Sequence, residues 1–172
     1  MMTFRLPLAI ALSCALLCTI APFSRAPAAN STPAVRGAPA NGLDGAARAR
    51  LVGEHLLTLQ WIGFGDLSSA GRATVSDAGD HLILRGEHRG SGENAGDYLR
   101  IDGRIVSASR DGFVFEGEIL TRVSYIAGGA ECRREGRFTF LTRAGRKYWR
   151  LQEMDNPCDT ATDYVDVYFR GI

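Results

Sequence analysis

From Glu54 onward apolar residues recur at every second position, and no window of useful length repeats at the 3.6-residue spacing of a helix. This alternation predicts strands over 54–62, 70–77, 80–88, 98–107, 113–126, 131–142, 146–155 and 163–169. Strands joined by short turns, with no helix between them, specify an all-β, antiparallel, up-and-down meander of eight strands. An even strand number sets the first and last strands antiparallel. Leu57 to Trp61 can then pair with Val165 to Phe169 and close a small barrel without exposed sheet edges. An open two-sheet sandwich is the alternative use of the same pattern.

Four of these stretches carry a glycine at the centre, flanked by charge: Gly86, Gly103, Gly117 and Gly136. A glycine inside a strand costs entropy and packing, so its repetition on the apolar side of the pattern predicts a strongly coiled sheet with bulky neighbours over the gaps. Turn residues set the expected register. A two-residue turn at Ala144-Gly145 places Phe140 opposite Trp149, Arg134 opposite Asp155 and Glu153 opposite Gly136. A turn at Gly128-Gly129 places Ile119 opposite Phe138 and Thr121 opposite Gly136. A three-residue turn at Arg110-Asp111-Gly112 places Gly103 opposite Ile119 and Gly117 opposite Ile105. Turns 78–79, 108–112 and 143–146 then share one end, the bottom. Loops 63–69, 89–97, 127–130 and 156–162 share the other, the top.

The N-terminal segment changes the compartment. Arg5, the apolar run Leu6 to Ile20 and the small-x-small triplet Ala26-Pro27-Ala28 form the pattern of a secretory signal over residues 1–28. Leu6 to Phe23 approaches the length of a membrane anchor, but Pro7 and Pro22 make it a poor span, so no membrane span is expected after cleavage. Removing Arg5 and Arg25 from the 20 basic side chains leaves 18 against 19 acidic ones, which excludes a basic footprint for nucleic acid. Residues 29–50, mostly Ala, Pro, Gly, Ser, Thr and Asn as far as Ala47, predict a disordered tether, and 51–172 the β-domain. Its two cysteines, Cys132 and Cys158, predict a disulfide, as suits an exported, periplasmic or extracellular protein.

The registers gather Thr121, Tyr125, Arg134, Glu153 and Asp155 on the inward face near the top. Charges on a core face need partners, water or a ligand. They are the candidate ligand-binding residues, with Arg134 able to take a carboxylate or phosphate by two hydrogen bonds. A bare Arg134–Asp155 pair capping the core is the structural alternative. Trp61, Trp149, Phe115, Phe138 and Phe140 are assigned to filling the interior. His55, His81 and His88 are too scattered for a metal set, and Asp155, Asp159, Asp163 and Asp166 lack the order of a calcium loop, so they are read as solvated or turn-forming acids. Gly90 to Gly96 resembles a phosphate cradle but no helix follows it. Glu116 and Glu118 fall on the outer face, and no nucleophile motif with a base occurs. No catalytic residue, metal or cofactor is assigned.

Lys147-Tyr148-Trp149-Arg150-Leu151-Gln152-Glu153-Met154, Asn156-Pro157-Cys158-Asp159 and Asp163-Tyr164-Val165-Asp166-Val167-Tyr168-Phe169 resemble a signature of uncharacterised exported bacterial proteins. The resemblance implies no activity. In architecture the chain is similar to lipocalin-like and streptavidin-like barrels, without their ligand motifs. Three roles are compatible: a non-enzymatic module binding a small molecule at its mouth, a filled barrel docking another envelope protein, and an envelope hydrolase, the last without sequence support.

Overall fold

The computed structural model describes residues 42–63 and 66–172. Residues 1–28, read above as a secretory signal, and most of 29–50, read as a tether, lie outside the described residues. Eight antiparallel strands close into a barrel: β2 (Gly53–Leu59), β3 (Gly71–Asp77), β4 (Leu82–Arg89), β5 (Tyr98–Ser109), β6 (Gly112–Arg122), β7 (Glu131–Leu141), β8 (Tyr148–Leu151) and β9 (Val165–Tyr168). Each pairs with the next, and β9 returns to β2 with Leu57 opposite Val167 and Leu59 opposite Val165. The expected closure is therefore present, and the sandwich is not. Inward positions fill the interior with Trp149, Phe113, Phe115, Phe140, Leu57, Leu84 and Ile105, all fully buried. Phe113 and Phe140 stack with ring centroids 4.8 Å apart, and Trp149 meets Phe113 edge-on at 5.7 Å.

Residues 42–51 belong to this folded body and not to a tether. Strand β1 (Gly42–Leu43) adds in parallel to β5 beside Ser107 and Ala108, and helix α1 (Gly45–Leu51) follows. Asp44 caps the helix by accepting from the Ala46 N–H at 3.2 Å, and Gly53, at φ 127°, turns the chain out of it into β2. Ala47 and Leu51, one turn apart, bury against the barrel core at the bottom. The ring nitrogens of His55 lie 2.6 Å from the Leu51 carbonyl and 2.7 Å from that of Tyr168, which ties helix, β2 and β9 together.

The registers differ from those expected by even numbers of residues along most of the sheet, so the faces agree there while the partners change. Arg110-Asp111 makes a two-residue turn, and a bulge at Val106 restores the inward side. Gly103 consequently faces Gly117, which in turn faces Gly136. A Cβ on Gly103 would lie 2.3 Å from the Glu116 carbonyl oxygen and 2.7 Å from the Phe115 ring; one on Gly117 would meet the Asp102 carbonyl oxygen and the same ring. The two glycines let β5 and β6 coil tightly, and one aromatic ring covers both. At the β7–β8 hairpin Phe140 faces Leu151 instead of Trp149, because the chain spends two further residues on the turn.

On the outer face opposite charges sit directly across strands: Arg85 with Asp102, Arg100 with Glu87, and Glu116 between Arg104 and Arg137. Such exposed pairs are screened and contribute little stability, but they oppose a slipped register.

Gly117→Val is expected to destabilise the barrel by about 3 kcal/mol, because the β5 backbone has nowhere to move. Gly45→Ala, with open space around the added methyl, should instead stabilise by about 0.5 to 1 kcal/mol. Urea unfolding of the two variants checks both signs.

Candidate functional site at the barrel mouth

The top loops are laced to one another by side chains. Asp97 accepts from the Ser124 N–H at 2.8 Å, and Asp159 accepts from the Ala127 N–H at 2.7 Å. The Tyr125 hydroxyl donates to the Trp61 carbonyl at 2.8 Å. Gln60 accepts from the Tyr164 N–H at 2.7 Å and donates to the Thr162 carbonyl. Cys132 and Cys158 form the expected disulfide, joining the start of β7 to the segment that covers the mouth.

Beneath this cover lies a buried polar cluster. Asp163 accepts from the Trp61 indole N–H and from the Asn156 amide, each at 3.1 Å. Asn156 also accepts from the Cys158 N–H at 2.8 Å, so the side chain that holds Asp163 also shapes the disulfide loop. Arg134, on β7 opposite Ile119, is 8 % exposed. Its Nη2 donates to the Glu153 carbonyl, its guanidinium lies 5.4 Å from the centre of the Phe138 ring, and its Nη1 is buried without a partner. Burial lowers the Arg134 pKa, against the opposing fields of Asp163, Glu153 and Asp155. Burial also raises that of Asp163, with the Trp61 hydrogen bond and Arg134 working against it.

The five candidate residues separate. Thr121 is buried opposite Cys132, and Arg134 reaches the backbone of Glu153. The Glu153 carboxylate does not face open space at Gly136; it accepts from the Thr139 N–H at 2.9 Å, where β8 has diverged from β7 and left that donor unpaired. Asp155 is exposed, joined to Thr162 only through a backbone bridge, and does not pair with Arg134. Tyr125 is 57 % exposed and packs edge-on against Trp61 instead of turning inward, because the chain leaves β6 at Arg122. Gly136, on the same parity as Arg134, is exposed, with nothing within 4 Å of an added Cβ.

Asp163 and Asn156 are the members that the alternation missed. Asp163 shares its parity with Val165 and Val167, which is the signal that could have placed it inward. Asp166, also expected in solvent, is buried on the outer face in a two-pronged pair with Arg150 at 2.7 Å for both contacts. Among the described residues no group of three or more His, Cys, Asp or Glu is placed to hold a metal.

A separate recess of about 160 Å³ lies between residues 60–63 and 66–67 and the outer side of β2 and β9, with His88 on its wall. Nδ1 of His88 accepts from the Leu59 N–H at 3.2 Å, while Nε2 is buried without a partner. Burial lowers the His88 pKa.

The molecule is thus a closed, filled, antiparallel β-barrel with a disulfide-tied polar mouth. The chain belongs to the PM1083 family, whose model matches residues 39–169. It is 39 % identical over 120 residues to the uncharacterised protein PM1083 of Pasteurella multocida (strain Pm70), covering 70 % of this chain and 74 % of that one. No solved structure matches.

Two measurements follow from this geometry. With its cysteines 26 positions apart, the disulfide is expected to contribute about 3.5 kcal/mol, read as the loss in unfolding free energy of Cys132→Ala/Cys158→Ala. His88, with a folded pKa below its unfolded value, favours the native state above about pH 6.5, and this is lost as pH falls through the folded pKa. Unfolding free energy should drop from pH 7.5 to 5, and His88→Asn, which keeps an acceptor for Leu59, should flatten that difference.

Proposed function

We propose that the chain is an exported, non-enzymatic β-barrel module that takes a small carboxylate- or phosphate-bearing molecule at its mouth, with Arg134 as the group that reads the anion. The observation that carries this reading is the buried, unpartnered Nη1 of Arg134. A desolvated guanidinium nitrogen is costly unless something accepts from it. The nearby carboxylates are engaged: Asp163 by Trp61 and Asn156, Glu153 by the Thr139 backbone. Open space lies beside Gly136, two residues along β7 from this arginine. Because the interior is filled by fully buried aromatic and aliphatic side chains, the ligand sits at the rim of the barrel and not in a deep calyx.

That same packing favours a second reading, in which the barrel is a scaffold and the laced top loops meet another envelope protein. Native mass spectrometry of the protein recovered from the periplasm or medium separates the two. The first reading expects a chain beginning near Ala29 that carries a small-molecule mass, and loss of that mass in Arg134→Met with the circular dichroism spectrum unchanged. A co-purifying chain with no small molecule favours the scaffold. A bound mass retained in Arg134→Met overturns the assignment of this arginine.

A further inference from the structure

We propose that the opposite, closed end of the barrel carries a second site, an arginine-lined cleft that binds a phosphate-bearing ligand. The cleft measures about 320 Å³ and lies between the β5–β6 turn, the β7–β8 turn and the chain after β9. Arg50, Arg110, Arg143 and Arg146 line it, and Asp111 is its one carboxylate. None of the four arginines joins an ion pair among the described residues, whereas arginines of the barrel wall are matched with acids. The imbalance is therefore local: a chain with nearly equal numbers of basic and acidic side chains concentrates unpaired cations in one concavity.

The cleft is built on ordered chain. Arg50 extends from α1, stacks over Phe169 at 3.9 Å and Trp149 at 5.1 Å from the ring centres, and donates to the Arg110 carbonyl at 3.1 Å. The turn that presents Arg143 and Arg146 is closed by the Arg146 N–H donating to the Arg143 carbonyl at 3.0 Å, with Gly145 at φ 81°. An adjoining cleft of about 180 Å³ begins at the same two arginines and runs along β8 past Arg150, whose own charge is held by Asp166. Gathering like charges on two neighbouring turns gains nothing for folding. It lowers the free energy of the molecule only when an anion lies between them. Phosphate suits several guanidinium groups because it offers up to two negative charges and several acceptor oxygens, whereas a carboxylate has one charge on two oxygens.

Calorimetric titration of the folded chain with pyrophosphate at low salt tests the site. Binding should weaken as salt is raised and fall at least tenfold in Arg143→Gln/Arg146→Gln, and it should be unchanged in Arg85→Gln, on the wall. Flotation with phosphatidylglycerol and phosphatidylcholine vesicles identifies the source of the phosphate. Association with the anionic vesicles alone, lost in the double variant, assigns a lipid headgroup; pyrophosphate binding without flotation assigns a soluble ligand. Absence of both, or equal affinities in the native chain and the double variant, overturns the proposal. Since Arg134 lies at the other end, Arg134→Met should leave pyrophosphate binding at this cleft intact, so the two sites fail or succeed separately.

Discussion

The approach of two backbones at Gly103 and Gly117 is the constraint on which the rest of the barrel depends. Neither position has room for a Cβ, and the Phe115 ring occupies the space that two side chains would have taken. Tight coiling of β5 on β6, the longest pair in the sheet, bends the wall enough for β9 to meet β2. Closure then removes the sheet edges between β2 and β9 and encloses the aromatic core. The short β8 is a local exception. Its divergence from β7 leaves Thr139 to be satisfied by Glu153, so the gap in the ladder and the polar rim have one origin.

The strand count, the two faces and the disulfide were legible because they depend on parity, and the register errors were even except beyond the β5 bulge, where Ser107 to Ser109 pair one residue off. Thr121 and Arg134 were placed correctly for that reason. The partners were not legible. Turn length decides them, and glycine pairs such as Gly128-Gly129 fit inside a longer loop as readily as they make the hairpin itself. That loop carries Tyr125 away from the barrel axis, and the two extra residues at the β7–β8 turn separate Asp155 from Arg134. Helix α1 was hidden because seven residues present only Ala47 and Leu51 to the core, too few to establish a period, within a stretch whose composition resembles a linker.

Charge is divided among three environments with different consequences. On the wall it is paired across strands and exposed, where it favours one register. At the mouth it is buried: Arg134 and Asp163 each carry the pKa displacement that desolvation imposes, in the direction that opposes ionisation. At the closed end it is half-buried or exposed, with four arginines against one aspartate. Membership of the PM1083 family brings no activity with it, so these environments, and not the fold, are what distinguish possible roles.

The pairing of β2 with β9 joins residues about 110 positions apart. A chain synthesised only as far as β8 lacks the strand that completes its wall. Loop-closure entropy makes such a distant contact late and slow to form in any case. The barrel therefore stays open until its final strand has been delivered. Until then the edges of β2 and β8 lie unpaired, which is the stage at which a newly made chain is open to pairing with another.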